Sequence, residues 1–166
     1  MMARPCVICE RMSGDPENRP SGWAYNCQHC GIFTLGDRAQ ALAETKLPLD
    51  PRLRAITSYT IRKMQRGGQT PRLDDKEVEL RTAKFVVAEL TYGNRGAYWE
   101  AGFAHGLGKP VFYLCDGARF RRGATHFDTN HHFTILWDTS NMAKAGDELK
   151  TAIRFALPGD AKLTDD

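Results

Sequence analysis

Two cysteine pairs, Cys6-Val-Ile-Cys9 and Cys27-Gln-His-Cys30, constrain how the first part of this chain can fold. A Cys-x-x-Cys turn puts two sulfurs on one side of a tight knuckle. Two such knuckles supply the four soft donors that a tetrahedral Zn²⁺ site takes. The pairs are separated by 17 residues, a spacing that fits a zinc-ribbon-like module with Cys6, Cys9, Cys27 and Cys30 as ligands. Four thiolates close the coordination sphere, so the expected zinc is structural and chemistry must be sought downstream. A disulfide reading needs an oxidising compartment, and no secretory signal is read in the sequence. A redox reading suits one such pair better than two in register. Cys115 ends the apolar run Val111-Phe112-Tyr113-Leu114 and reads as a buried small hydrophobe.

The chain has 166 residues, 42% of them hydrophobic and 26% charged, ordinary for a globular protein. That length allows one compact domain beside a small metal-stapled module. A net charge of +3 makes no general case for nucleic acid. The cations are clustered, however, in Arg52, Arg54, Arg62, Lys63 and Arg66 and again in Arg119, Arg121 and Arg122. These clusters read either as solvated surface or as a polyanion patch. No apolar run approaches the roughly 20 residues of a membrane span. The expectation is a cytoplasmic protein without a membrane partner.

Patterning predicts an α/β chain: a small N-terminal zinc ribbon, then a shortened Rossmann-like parallel-sheet domain. The ribbon is expected over 4–36. It would have a loop from Ser13 to Gly22, strands at Trp23–Asn26 and Ile32–Leu35, and a core so small that zinc supplies most of its folding free energy. A helical connector is expected over 37–72, with a helix over 37–47, a break at Pro48, and a second helix from Pro51 to Gln65. Leu53, Ile56, Ile61 and Met64 would form the buried face of that second helix. The α/β domain is expected over 73–158. Asp74 or Asp75 would cap a short helix through Arg81. A strand at Phe85–Leu90, a glycine-bearing loop, a helix over 97–107 and a strand at Val111–Cys115 make one βαβ unit. A strand at Phe133–Trp137 and a helix over 141–156 follow, with Met142, Leu149 and Ile153 facing the sheet. Residues 159–166 read as a frayed tail.

Ligands of open parallel sheets bind beyond the carboxyl ends of the strands. That edge would present Glu89, Tyr92, Asn94, Arg95 and Glu100. Glu100 is expected in the first turn or so of its helix, where the dipole favours an ionised carboxylate. Such a group can attack a sugar carbon, or it can simply complement the helix end. Ala97, Ala101, Ala104 and Gly108 form a small-residue stripe that lets the helix lie close to the sheet. His126 and Asp128 lie in a loop that could rim the pocket, binding a ribose hydroxyl or serving as acid and base. His126, His131 and His132 near Asp128 match no metal-ligand spacing.

The run from Phe85 to Val111, with Glu89 at a strand end, the loop Thr91-Tyr92-Gly93-Asn94-Arg95-Gly96, then Tyr98-Trp99-Glu100-Ala101-Gly102-Phe103-Ala104 and Gly108-Lys109-Pro110, resembles the nucleoside 2-deoxyribosyltransferase-like family. His126-Phe127-Asp128-Thr129 before Phe133–Trp137 is similar to a stretch of bacterial members of that superfamily. The resemblance covers about residues 73–157. It implies that Glu100 is the nucleophile, attacking an anomeric carbon with release of a base, and that Glu89 takes the place of the strand-end acid that contacts the nucleobase. It implies a nucleoside, nucleotide or related ligand such as NAD as partner. The Gly-Pro-Phe or Met-Pro-Phe strand with which members begin their sheet is not found here. A homo-oligomer could complete the sheet. Two functions follow as expectations: an N-glycosidase or deoxyribosyltransferase, or an inactive nucleotide-binding or interaction module in which the ribbon docks on protein or nucleic acid.

Overall fold

The computed structural model describes residues 4–46, 51–123 and 125–164. The chain divides into two compact units, Met1–Ala83 and Lys84–Asp166. The break falls beyond the 72/73 boundary expected from the sequence.

In the first unit, β1 (Arg4–Pro5) pairs antiparallel with β2 (Met12–Ser13). A second sheet is built from β3 (Glu17–Arg19), β4 (Gly22–Cys27), β5 (Gly31–Leu35) and β6 (Arg72–Leu73), in that order. The stretch read as a loop between the knuckles therefore carries the short strand β3, paired antiparallel with β4. β6 joins β5 in parallel through Thr34–Arg72 and Leu35–Leu73. Two residues are too few to show an alternating pattern in sequence.

Three helices complete this unit: α1 (Asp37–Lys46), α2 (Pro51–Arg66) and α3 (Asp75–Thr82). The break expected at Pro48 lies outside the described residues. Pro51 takes the first helical position of α2, where its fixed φ fits and its missing N–H is not needed. Asp74 caps α3 in a reciprocal box: its carboxylate accepts from the Glu77 N–H, and Glu77 accepts from the Asp74 N–H.

One core joins residues 4–36 to the helices that follow. Ile8, Phe33 and Leu35 from the ribbon region pack with Ala39 and Ala43 of α1, Ile61 of α2, and Leu73 and Val78. Tyr25 stacks on Phe33 with ring centroids 4.8 Å apart. Its hydroxyl donates to Gln40 at 2.6 Å. Residues 4–36 thus share one core with the helices that follow, where the sequence predicted a module folded largely by its metal. The buried face of α2 is Leu53, Thr57, Ser58 and Ile61. The expected Met64 is exposed; two hydroxyl residues lie inward instead, because each has a partner there. Thr57 accepts from Arg81 Nε at 3.2 Å, and Ser58 contacts a cysteine sulfur.

The second unit is a parallel three-stranded sheet, β7 (Val86–Glu89), β8 (Val111–Asp116) and β9 (Thr134–Trp137), in sequence order. α4 (Arg95–Gly106) links β7 to β8, α5 (Gly117–Arg121) follows β8, and α6 (Met142–Ala156) follows β9. Ala101 and Ala104 of α4 are buried, as the small-residue stripe predicted. Ala101 packs with Ala88, Leu90 and Tyr113. On α6 the buried residue is Ala145, whereas Met142 is exposed, since it opens the helix. The tail is tied down at Asp160, which pairs with Lys84, and at the Lys162 carbonyl, which accepts from Arg154 Nε at 2.8 Å. Among the described residues no helix is long and apolar enough to cross a membrane.

Candidate functional site

The four cysteine sulfurs of the first unit lie within 4.8 Å of one another. Cys6 and Cys30 sulfurs are 3.9 Å apart and those of Cys9 and Cys27 are 3.6 Å apart. Disulfide sulfurs lie at about 2 Å, so these are free thiols. A tetrahedron with metal–sulfur bonds of about 2.3 Å has edges of about 3.8 Å, so the spacing fits one metal ion. The second knuckle is closed by a Cys30 N–H that donates to Cys27 Sγ at 3.4 Å. Its backbone turns back on itself through Gly31 at a φ of 95°. A Cβ at Gly31 would meet the Gln65 side chain, whose amide donates to the Ile32 carbonyl at 2.9 Å.

The electrostatics of the cluster call for a cation. The hydrogen bond from Cys30 pulls the Cys6 thiol down to about 5, against the opposing effect of burial. The same bond, together with burial, pushes Cys30 up, and burial raises Cys9. One thiolate is favoured here and further ones are resisted, a resistance that a bound cation would relieve. Ser58 Oγ lies 3.1 Å from Cys30 Sγ and belongs to the shell around the ligands. Sequence reasoning missed it because it sits on a helix remote in sequence from both knuckles.

The second cluster lies at the carboxyl ends of β7, β8 and β9. Glu89, exposed at the end of β7, accepts from Trp137 Nε1 at 3.2 Å and from the Thr91 backbone N–H at 3.2 Å. The Thr91 hydroxyl also donates to it. Thr91 is buried, and its oxygen accepts from the Asp116 N–H at 2.8 Å, which ties the edge of β7 to that of β8. Neither Thr91 nor Trp137 was singled out from sequence, although both stand at strand ends, where ligand-facing groups of such sheets gather.

The remaining expected site residues take distinct places. Asn94 caps α4, accepting from the Gly96 N–H at 2.9 Å. Its side chain is therefore committed to the helix end. Arg95 begins α4 and is exposed. Tyr92 is exposed beneath Arg119, whose guanidinium carbon lies 4.9 Å from the ring centre. His126 Nδ1 lies 3.2 Å from Asp128 Oδ2, and the His126 N–H donates to the Tyr98 hydroxyl at 3.1 Å. This joins the loop to α4. Glu100 is half-buried on α4. Because the helix starts at Arg95, Glu100 falls in its second turn, and no acid stands in the first. The dipole argument is corrected accordingly, since that field fades beyond the first turn.

A cavity of about 1020 Å³ opens elsewhere in this unit, lined by His105, Tyr113, His132, Ile135 and Phe155 among others. None of the expected substrate-site residues lines it. The chain matches no protein-family model, no curated protein and no solved structure.

Proposed function

We propose that the second unit is an N-glycosidase or deoxyribosyltransferase acting on the base–sugar bond of a nucleoside or nucleotide, and that the first unit is a zinc-ribbon-like module with a structural Zn²⁺. The observation that carries the enzymatic reading is a carboxylate oriented by three donors at the end of β7, Glu89, followed along the chain by a helix that carries a second carboxylate, Glu100. The reading takes its roles from the resemblance of residues 73–157 to the deoxyribosyltransferase-like family. Glu100 attacks the anomeric carbon as the base departs, leaving a glycosyl ester on the enzyme. Water then hydrolyses that ester, or a second base captures the sugar. Glu89, held by Thr91 and Trp137, receives the nucleobase edge. In this reading His126 and Asp128, in contact with each other, meet sugar hydroxyls.

The test is mass spectrometry of a nucleoside and nucleotide mixture incubated with the wild-type chain or with Glu100→Ala. Free base is expected from the wild type alone, with the variant retaining its fold by circular dichroism. Wild type that releases no base from any member of the mixture overturns the enzymatic reading.

A second reading, a nucleotide-binding or interaction module without turnover, is favoured by one observation. Among the described residues no strand pairs with the outer edge of β7, so the sheet ends at the strand that carries Glu89. Calorimetric binding of a nucleotide with no product formed would establish it. A homo-oligomer that covers this edge would restore the first reading, and sedimentation of the active species distinguishes the two.

A further inference from the structure

We propose that the exposed face of α2 is a docking surface for single-stranded nucleic acid, with Lys63, Arg66 and Arg62 meeting phosphates and Tyr59 stacking on a base. Residues 51–73 hold six cations, Arg52, Arg54, Arg62, Lys63, Arg66 and Arg72, and no acid. Four positions of α2, Tyr59, Arg62, Lys63 and Arg66, follow one another at steps of three, one and three. They form a single stripe along the helix. They alone line a depression of about 330 Å³. The stripe lies away from the buried Leu53, Thr57, Ser58 and Ile61.

The cations divide by partner. Arg54 is paired with Glu10. Arg62 donates to the His29 carbonyl at 2.8 Å, a bond that fixes the guanidinium beside the second knuckle without neutralising it. Among the described residues no carboxylate pairs with Lys63 or Arg66. The helix dipole accounts for cations in the last turn. It does not account for a tyrosine ring, Tyr59, that is 58% exposed one turn before them.

An aromatic face continued by a row of cations is the arrangement that binds unpaired bases and their backbone together. Paired bases present no free ring face, which selects single strands. The stripe holds no apolar wedge of the kind that seats a helix in a bilayer.

The experiment is fluorescence anisotropy of a labelled 20-nucleotide deoxythymidine strand with the full-length chain over a series of salt concentrations. Wild type should bind with an affinity that falls linearly on logarithmic axes. The double variant Lys63→Ala/Arg66→Ala should lower the slope by about 1.4 and the affinity at 0.1 M salt by roughly 25-fold, as expected for two lost phosphate contacts on a single strand. Tyr59→Ala should weaken binding by about fivefold or more with the slope unchanged, and Tyr59→Phe should bind like wild type. Unchanged thermal transitions and metal content show that only the surface was altered. The wild-type slope is read without any variant. Failure to bind the strand at low salt, an unchanged slope in the double variant, equal displacement by polyglutamate, or preferential binding to phosphatidylserine vesicles would each overturn the proposal. None of these outcomes depends on Glu100 or on base release.

Discussion

The cysteine cluster of the first unit and the carboxylate edge of the second organise polar groups in opposite ways. Cys6, Cys27 and Cys30 are buried in the same core as Phe33 and Ile61, and their separations already match a coordination tetrahedron. Glu89 and Asp128 stand in solvent at strand and loop ends, Glu89 bonded to Thr91 and Trp137 and Asp128 to His126. The first arrangement is a folding element: its geometry is fixed because the core is fixed. The second must admit a diffusing molecule, so core packing cannot define it beyond the strand ends. Removing a group should therefore cost stability in the first region and leave the fold nearly untouched in the second.

The largest expected effect comes from Cys27→Ser. Metal binding in small thiolate modules contributes on the order of 10 kcal/mol to folding, and an incomplete ligand set forfeits most of it. Since the ribbon region shares its core with α1, α2 and α3, all of the first unit should lose its structure, with the second keeping its own core. Elemental analysis should give one zinc per chain for wild type and none for the variant. Amide exchange should show protection lost before residue 83 and retained after it. Loss confined to residues 4–36 would mean that the shared core does not couple the ribbon to the helices. Acid should act in the same direction. The thiol of Cys6 sits below its unfolded value, so its contribution is present above that value and is lost as pH falls through about 5. Zinc release, followed by absorbance of a chelating dye, should rise as pH falls, because protons compete with the metal for the ligand sulfurs.

A somewhat smaller effect is expected for Phe33→Ala. Phe33 is fully buried and stacked on Tyr25. Truncating such a ring costs about 3–5 kcal/mol. If metal and core are one cooperative element, the variant should also bind zinc more weakly, by competition titration, although Phe33 offers no ligand atom. Undiminished zinc affinity would separate the two and break the first half of the comparison.

The two regions also differed in how far they could be read from sequence. The ligand set was legible because a Cys-x-x-Cys turn is local and its chemistry is carried by four residues at fixed spacing. The βαβ pattern of 85–115 was legible for the same reason: a buried strand, a glycine-bearing loop and a small-residue helix face are local signals. What was missed is non-local or too short to leave a pattern. β6 is two residues long and exists because Leu73 fills a core built by other elements. Ser58 and Thr57 look like ordinary polar positions until the helix is placed against Cys30 and Arg81. Glu100 moved from the first turn to the second because Asn94 caps the helix so that it starts at Arg95, ahead of the start at 97 expected from sequence.

Ser58→Ala tests whether the region around the thiolates extends beyond the ligands. The hydroxyl beside Cys30 Sγ can donate to a thiolate but gives little to a neutral thiol. Its loss should weaken zinc binding by about tenfold, the lower end of what partners of metal ligands contribute. Thermal stability of the zinc-free chain should change far less. Equal losses with and without metal would assign Ser58 to packing alone.

The smallest effect is expected at the sheet edge. Trp137→Phe removes the indole N–H that donates to Glu89 and keeps an aromatic ring at the end of β9. Glu89 is exposed, so water replaces the lost donor, and the stability change should be about 0.5 kcal/mol or less, at the bottom of the usual range for a hydrogen bond. Orientation is another matter. Thr91 still holds one side of the carboxylate through its hydroxyl and backbone N–H, but the indole is the donor that reaches it from β9 across the ends of the strands. If Glu89 receives the nucleobase, losing that donor should raise KM for base release while leaving kcat nearly unchanged, because binding and not bond cleavage is affected. Denaturant melts of the second unit and steady-state kinetics of the same preparation supply both numbers. A stability loss of several kcal/mol with unaltered KM would show that this edge is built like the cysteine core, as a folding element, and the contrast between the two regions would fail.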